Sequence, residues 1–167
     1  VIQRPEPNPA RGEAISVVAW LSDQYPSAWR VLADCLQSPD ARIRTSAITE
    51  GPRARTHRDE VREFAVRALA DPSDDMVYAS VLTLSVLEVS PCEIMGDVEP
   101  LISSKPRLRR VLLGWLIRSR CEAAAILPHL RSMLASADVR DQEAGIVLAG
   151  NLGEGAAPLL PLLRRPR

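Results

Sequence analysis

Four leucines recur along the chain at an almost constant interval, and this repeat constrains the fold more than any other feature. They are Leu36, Leu69, Leu101 and Leu134, and the intervals between them are 33, 32 and 33 residues. Each leucine is followed by a short polar turn and then by a second apolar run. A repeat of this length predicts a stack of similar units, each of which buries its apolar face against its neighbours.

The turn after each leucine has the residue types with which one helix ends and the next begins. Ser and Asp side chains accept hydrogen bonds from the first N–H groups of a helix, and Pro is tolerated in its first turn. The four turns are Ser38-Pro39-Asp40, Asp71-Pro72-Ser73, Ser103-Ser104-Lys105-Pro106 and Ser136-Ala137-Asp138. Each repeat is therefore predicted to be a pair of helices.

An all-α domain is predicted over nearly the whole length of the chain. Three prolines within residues 1–9 predict an extended N-terminal arm. From residue 10 to residue 167 apolar residues recur at helical spacing, and we expect a single domain of about nine to ten helices in four to five repeats. The longest apolar stretch, Ser73 to Val89, is apolar around much of its circumference, so it is predicted to form the central and most buried helix.

The composition fits closely packed helices better than a sandwich of sheets. Hydrophobic residues make up 46% of the chain but aromatic residues only 4%, so Leu, Val, Ile and Ala must fill the interior. The net charge is zero, which argues against a protein that binds nucleic acid or a membrane surface through overall positive charge. No apolar run near 18 residues and no basic-then-apolar leader is visible, so neither a membrane span nor a signal peptide is predicted.

The cysteines and arginines indicate the localisation and the source of the protein. Cys35, Cys92 and Cys121 are odd in number and widely spaced, which predicts neither a disulfide framework nor a zinc site. Free cysteines fit a reducing cytoplasm, the localisation that we expect. All basic residues except Lys105 are arginine, a bias typical of a GC-rich bacterial genome. The chain begins with Val1 rather than methionine, which suggests processing or excision from a longer protein.

The stretch from Leu36 to Ala47 resembles one unit of the HEAT-like repeat family, and residues 127–153 resemble another. The residues that carry the first resemblance are the turn aspartate, a buried branched residue, a frequent arginine and a small residue at the helix crossing, namely Asp40, Ile43, Arg44 and Ala47. The resemblance covers residues 10–163 and implies a right-handed α-α superhelix, or α-solenoid. The sequence motifs of ankyrin and tetratricopeptide repeats, which have a similar period, are not found.

Charge is arranged in blocks even though it cancels overall. Residues 71–104 hold seven acidic residues and no Lys or Arg, and residues 105–120 hold six basic residues and no acid. In the HEAT-like family the second helices line one inner surface, so the resemblance implies a basic stripe there for an acidic protein segment or phosphates. The candidate residues are Arg42, Arg44, Arg107, Arg109 and Arg110. The alternative is that these charges are solvated faces of neighbouring helices that attract each other.

Trp115 lies in the same arginine-rich helix and is the sixth candidate partner-binding residue, although it allows two interpretations. On an exposed inner face, tryptophan beside arginine is the composition of a binding hot spot. Trp115 also lies at helical spacing with Leu108, Val111 and Leu112, which favours core packing equally well. Neither His57 nor His129 has Cys, Asp or Glu at metal-ligand spacing, so no catalytic, metal or cofactor site is predicted.

The leading hypothesis is a non-enzymatic, cytoplasmic HEAT-like scaffold that binds a protein partner on its inner, second-helix surface, alone or as a module of a larger chain. One alternative is a HEAT-like DNA glycosylase, which would grip DNA on a basic concave face. Zero net charge and the acids Asp74 and Asp75 count against it. A second alternative is the HEAT-like bilin lyase and chaperone class, whose short repeats match this period and which would need a tetrapyrrole pocket.

Overall fold

The computed structural model describes residues 9–163, with side chains from residue 12 onward, and this part of the chain is all-α. It holds nine α-helices of ten residues or more, a tenth of four residues, three stretches of 3₁₀ helix and no strand. The α-helices are α1 (Pro9–Leu21), α2 (Pro26–Leu36), α3 (Ala41–Glu50), α4 (Arg58–Ala68), α5 (Asp74–Val86), α6 (Met95–Ser104), α7 (Arg109–Arg118), α8 (Ala123–Leu134), α9 (Val139–Leu152) and α10 (Leu160–Leu163). The predicted helical class is confirmed. The predicted arm lies outside the described residues, apart from Pro9, which begins α1.

The chain divides into two compact units, and the boundary in the sequence falls between Val89 and Ser90. In the first unit α3 contacts both α1 and α5, so these three helices lie side by side in chain order. Helix α2 contacts both α1 and α3, so it packs across that pair. Helix α4 contacts both α3 and α5, so it packs across the next pair. This zigzag order follows from the alternation of helices and short turns, which keeps sequential helices adjacent.

The core of the first unit is aliphatic, and its few buried hydroxyls are satisfied. Leu32 from α2, Ile48 from α3 and Leu84 from α5 are fully buried. Thr83 is also buried, and its Oγ1 donates to the Ile48 carbonyl at 2.8 Å. This bond links α5 to α3, since a buried hydroxyl without a partner would be costly.

The second unit packs α7 against α6, α8 and α9, and α8 against α9. The close approach of α8 and α9 depends on Gly145, because a Cβ there would lie only 3.1 Å from the Met133 Cβ. The fully buried side chains in this unit include Leu112, Leu116 and Leu130. Small and branched residues are thus the main packing units here, as the composition predicted, and Trp115 is the aromatic exception.

One helical stretch in the described residues, Val139–Leu163, is long and apolar enough to cross a membrane by length and composition alone. It is not one continuous helix, since α9 gives way to a 3₁₀ stretch at Gly153, where φ is +62°. Leu148 and Leu159 are buried, and both α9 and the 3₁₀ stretch pack against α8. A membrane-spanning helix satisfies its backbone within one continuous element, so we describe this stretch as part of the packed second unit.

Three of the four predicted turns place a polar side chain at a helix N-cap. The Asp40 carboxylate accepts from the Arg42 N–H before α3, and the Asp138 carboxylate accepts from the Arg140 N–H before α9, both at 2.9 Å. Ser73 caps α5 in the same way. The fourth turn differs, because α7 is preceded by Leu108, which has no side-chain acceptor.

Replacing Asp138 with alanine should lower the free energy of unfolding by about 1 kcal/mol, because the first N–H groups of α9 lose their acceptor. The measurement is urea unfolding followed by circular dichroism. Asp138→Asn keeps an acceptor oxygen and should cost only a few tenths of a kcal/mol. Equal losses in the two variants would contradict the capping role.

The absence of disulfides predicted from the cysteine pattern is wrong, since Cys92 and Cys121 form a disulfide with their Cα atoms 5.5 Å apart. Helices α6 and α7 form a hairpin. The hairpin brings Cys92, which precedes α6, next to Cys121, which precedes α8. Cys35 is a free thiol. Burial, together with the charge of Asp34, raises the pKa of the Cys35 thiol.

Candidate binding groove

The five candidate arginines are divided between the two units, and Arg44 and Arg109 each form an ion pair with an aspartate. Arg44 in α3 forms an ion pair with Asp71 at 3.0 Å and donates to the Ser38 carbonyl at 2.8 Å. Arg109 at the start of α7 lies 3.4 Å from the Asp141 carboxylate. These half-buried pairs fit the alternative in which neighbouring helices attract each other.

The other three candidate arginines, Arg42, Arg107 and Arg110, are exposed. Arg42 lies in the first unit, whereas Arg107 and Arg110 lie in the second. Of the five candidates, two are therefore exposed in the second unit and one in the first. Whether they contact a partner stays a prediction.

Trp115 lies in the core. Its side chain is only 2% exposed, and the neighbouring α7 residues Leu112 and Leu116 are fully buried. The core-packing interpretation of Trp115 is therefore the one that the structure shows, because an indole in this position has no surface to offer a partner. The helical spacing that placed Trp115 with the apolar residues of α7 was the correct signal.

A groove of about 890 Å³ opens in the first unit at the carboxyl ends of α1, α3 and α5. Trp20 of α1 lies on one wall, and Leu82 and Val86 of α5 lie on the other. Arg53 and Arg55 complete the lining from the segment between α3 and α4. A concave site of this size, with four apolar and seven polar or charged lining residues, is a candidate binding site.

The apolar walls of the groove are open to solvent. Trp20 is 61% exposed, Leu82 43% and Val86 64%. Leu82 and Val86 are four residues apart and therefore share one face of α5. Clustered exposure of large apolar side chains marks interaction surfaces more often than scattered exposure does.

The basic end of the groove belongs to a short segment that we call the connector, residues 51–57. It consists of two 3₁₀ turns, Gly51–Arg53 and Arg55–His57. Its first residue lies so close to α4 that a Cβ on Gly51 would be 2.7 Å from the Val61 Cγ1. Only glycine fits at this position without displacing α4.

Two further contacts fix the other end of the connector. The Asp23 carboxylate accepts from the Thr56 N–H at 2.9 Å and from its hydroxyl at 3.0 Å. The His57 ring stacks on Trp29 with a centroid separation of 4.0 Å. Contacts at both ends hold the backbone of the connector, and with it the starting positions of its two arginines.

The carboxylate of Asp23 is kept ionised by these contacts. The Thr56 N–H, assisted by the Thr56 hydroxyl and the Arg55 charge, holds the pKa of Asp23 below its ordinary value, although burial opposes the shift. Asp23 also lines the groove. Its carboxylate is already engaged by Thr56, so it serves chiefly to hold the connector in place.

The apolar wall on α5 was not predicted from the sequence. Helix α5 was expected to be the most buried helix, and it does bury seven side chains, more than any other helix in the described chain. Tyr78, Leu82 and Val86, however, form an exposed stripe at intervals of four residues. An apolar stripe in excess of the one needed for the core is the signal that could have revealed this surface.

The groove can bury an apolar group and hold a negatively charged one, because its side chains are apolar groups, hydroxyls and guanidinium groups around one carboxylate. Within residues 9–163 no group of three or more His, Cys, Asp or Glu is placed to hold a metal ion. The sequence matches no protein-family model with which it was compared, and no similar curated protein was found.

Proposed function

We propose that this chain is a non-enzymatic, HEAT-like helical-repeat scaffold that binds another protein on the surface of its second helices. In the first unit those helices are α1, α3 and α5. The observation that carries the proposal is the exposure of Trp20, Leu82 and Val86 around one groove at the ends of these helices. Tryptophan and aliphatic anchors around a concave surface supply most of the binding free energy in many protein interfaces.

Contacts that recur at equivalent positions support the repeat. Arg44 lies four residues after the capping residue Asp40, and its guanidinium donates to the Ser38 carbonyl. Gln142 lies four residues after the capping residue Asp138, and its side-chain amide donates to the Ser136 carbonyl at 2.6 Å. Both bonds span six residues and close the same turn. A repeat whose arginine has become glutamine thus keeps the same bond with a shorter donor.

The groove favours a protein partner over nucleic acid. Its apolar lining residues include the exposed Trp20, Leu82 and Val86, and these offer nothing to a phosphate, whereas nucleic-acid affinity depends chiefly on contacts to phosphates. The whole chain is electrically neutral. A cytoplasmic location stays a prediction, and the Cys92–Cys121 disulfide weighs against it, because such bonds persist mainly in oxidising compartments.

Replacing Val86 with aspartate should abolish capture of the protein partner, because the variant places a charge on the apolar wall of the groove. The parent chain and the variant would each be immobilised and exposed to an extract of the cells that produce the protein, and the retained proteins identified by mass spectrometry. With the purified partner, we expect the Val86→Asp variant to bind about 30-fold more weakly.

The matched control is Val31→Asp, which makes the same change at an exposed position on α2. It should bind the partner as the parent does. If the triple variant Arg107→Glu, Arg109→Glu and Arg110→Glu lost the partner instead, the binding surface would be the basic helix of the second unit. Recovery of nucleic acid alone by the parent would contradict the scaffold function.

A further inference from the structure

We propose that the groove receives an acidic segment of the partner, with apolar side chains packed on Trp20, Leu82 and Val86 and carboxylates directed to Arg53 and Arg55. This inference rests on the proposed function and specifies the chemistry of the partner. It follows from two properties of one site. The groove has an apolar wall and a basic end, and both are formed before any partner binds.

The apolar wall favours a ligand with side chains rather than a small polar molecule. Leu82 and Val86 are separated by one helical turn along α5, and Trp20 faces the same groove from α1. Together they present a wide hydrophobic surface that is open along one side. Burying even half of an exposed Trp or Val side chain contributes about 1 kcal/mol or more, so apolar residues on the ligand supply affinity.

The basic end favours a ligand with negative charge. The connector contains Arg53 and Arg55 and no acidic residue, and the one carboxylate in the groove lining, Asp23, is engaged by Thr56. Arg53 uses its Nε to bind Glu50 at 2.6 Å, which leaves its terminal guanidinium nitrogens to face a ligand. The side chain of Arg55 forms no hydrogen bond or ion pair within residues 9–163, although its charge acts on the Asp23 carboxylate.

An ordered backbone distinguishes the connector from an ordinary solvated loop. The connector is held by the Asp23–Thr56 hydrogen bonds and by the Trp29–His57 stack. A segment whose backbone is already ordered loses less conformational entropy on association, so more of the binding free energy of its arginines is kept.

The test uses three synthetic 14-residue peptides with the same apolar residues, spaced four apart, and with Glu, Lys or Gln at all other positions. Binding to the full chain is measured by fluorescence anisotropy of a label on each peptide. We expect the Glu peptide to bind about fivefold or more tightly than the Gln peptide, and the Lys peptide to bind most weakly. Added salt should reduce the difference between the peptides.

Charge reversal at the connector supplies the matched comparison. The variant Arg53→Glu with Arg55→Glu should prefer the Lys peptide, whereas Arg30→Glu with Arg131→Glu, which changes the same charge at exposed positions outside the groove, should keep the parent order. Trp20→Ala should weaken the binding of all three peptides. Circular dichroism of each variant verifies that the helices are intact.

Two results would overturn the inference, and each is distinguishable from failure of the proposed function. One is equal binding, or no binding, of the three peptides by the parent chain. The other is an unchanged preference after reversal of Arg53 and Arg55. If Val86→Asp still lost the cellular partner in either case, the scaffold function would stand with a partner of different chemistry. If that variant also kept the partner, both proposals would fail.

Discussion

Replacing Trp115 with alanine should lower the free energy of unfolding by about 3–5 kcal/mol. The indole is 2% exposed and belongs to α7, which buries five side chains. Removing it leaves a cavity among aliphatic neighbours that cannot fully collapse, so the lost transfer free energy and the cavity both contribute. The effect is measured by urea unfolding of the parent and the variant, with the slope of the transition compared to verify two-state behaviour.

The matched control is Trp20→Ala, which removes the same side chain from a position that is 61% exposed. We expect a loss of less than about 1 kcal/mol, because an exposed residue leaves no cavity. Peptide or partner binding should respond in the opposite order, with Trp20→Ala the more damaging change. Comparable destabilisation by both replacements would show that the assignment of Trp115 to the core and Trp20 to the surface is wrong.

Breaking the disulfide should be the second large perturbation. The chain between Cys92 and Cys121 spans 29 residues, and closing a loop of that length restricts the unfolded chain by about 3–4 kcal/mol in the chain-entropy description. The variant Cys92→Ala with Cys121→Ala should therefore unfold at a lower urea concentration than the parent. Reduction of the parent with dithiothreitol should produce a loss of similar size.

The free thiol provides the control for this experiment. Cys35→Ala should leave the response to dithiothreitol unchanged, since Cys35 is not part of the disulfide. The double alanine variant should not respond to dithiothreitol at all. If reduction left the stability of the parent unchanged, the disulfide would not be a structural element of the second unit.

Local features of the fold could be predicted because they depend on neighbours in sequence. The caps of α3 and α9 lie where Asp40 and Asp138 predicted them. The helical class followed from the repeat and the aliphatic composition. The fourth turn was harder, because the backbone between α6 and α7 starts the new helix at Arg109, three residues after the predicted turn.

The groove and the disulfide could not be predicted in the same way, because both depend on which helices become neighbours. In α5, Val81 is buried whereas its neighbour Leu82 is exposed. The two residues have similar hydropathy, so hydropathy alone could not show which of them faces the core. The partners of Arg44 and Arg109 lie 27 and 32 residues away, so charge blocks alone did not separate paired arginines from open ones. The paired cysteines are 29 residues apart, so no short cysteine motif marked them as partners.

The carboxylate of Asp71 has two roles that join α3 to the turn before α5. One oxygen accepts from the Ser73 N–H at 2.8 Å and shapes the turn before α5, while the other holds Arg44 of α3 at 3.0 Å. Through Arg44 the same group reaches the turn that begins α3. Because one carboxylate is bonded to both parts of the chain, opening of either turn removes a contact of the other. Fraying of the turn before α5 therefore weakens the turn before α3, which makes these two helices cooperative rather than independent.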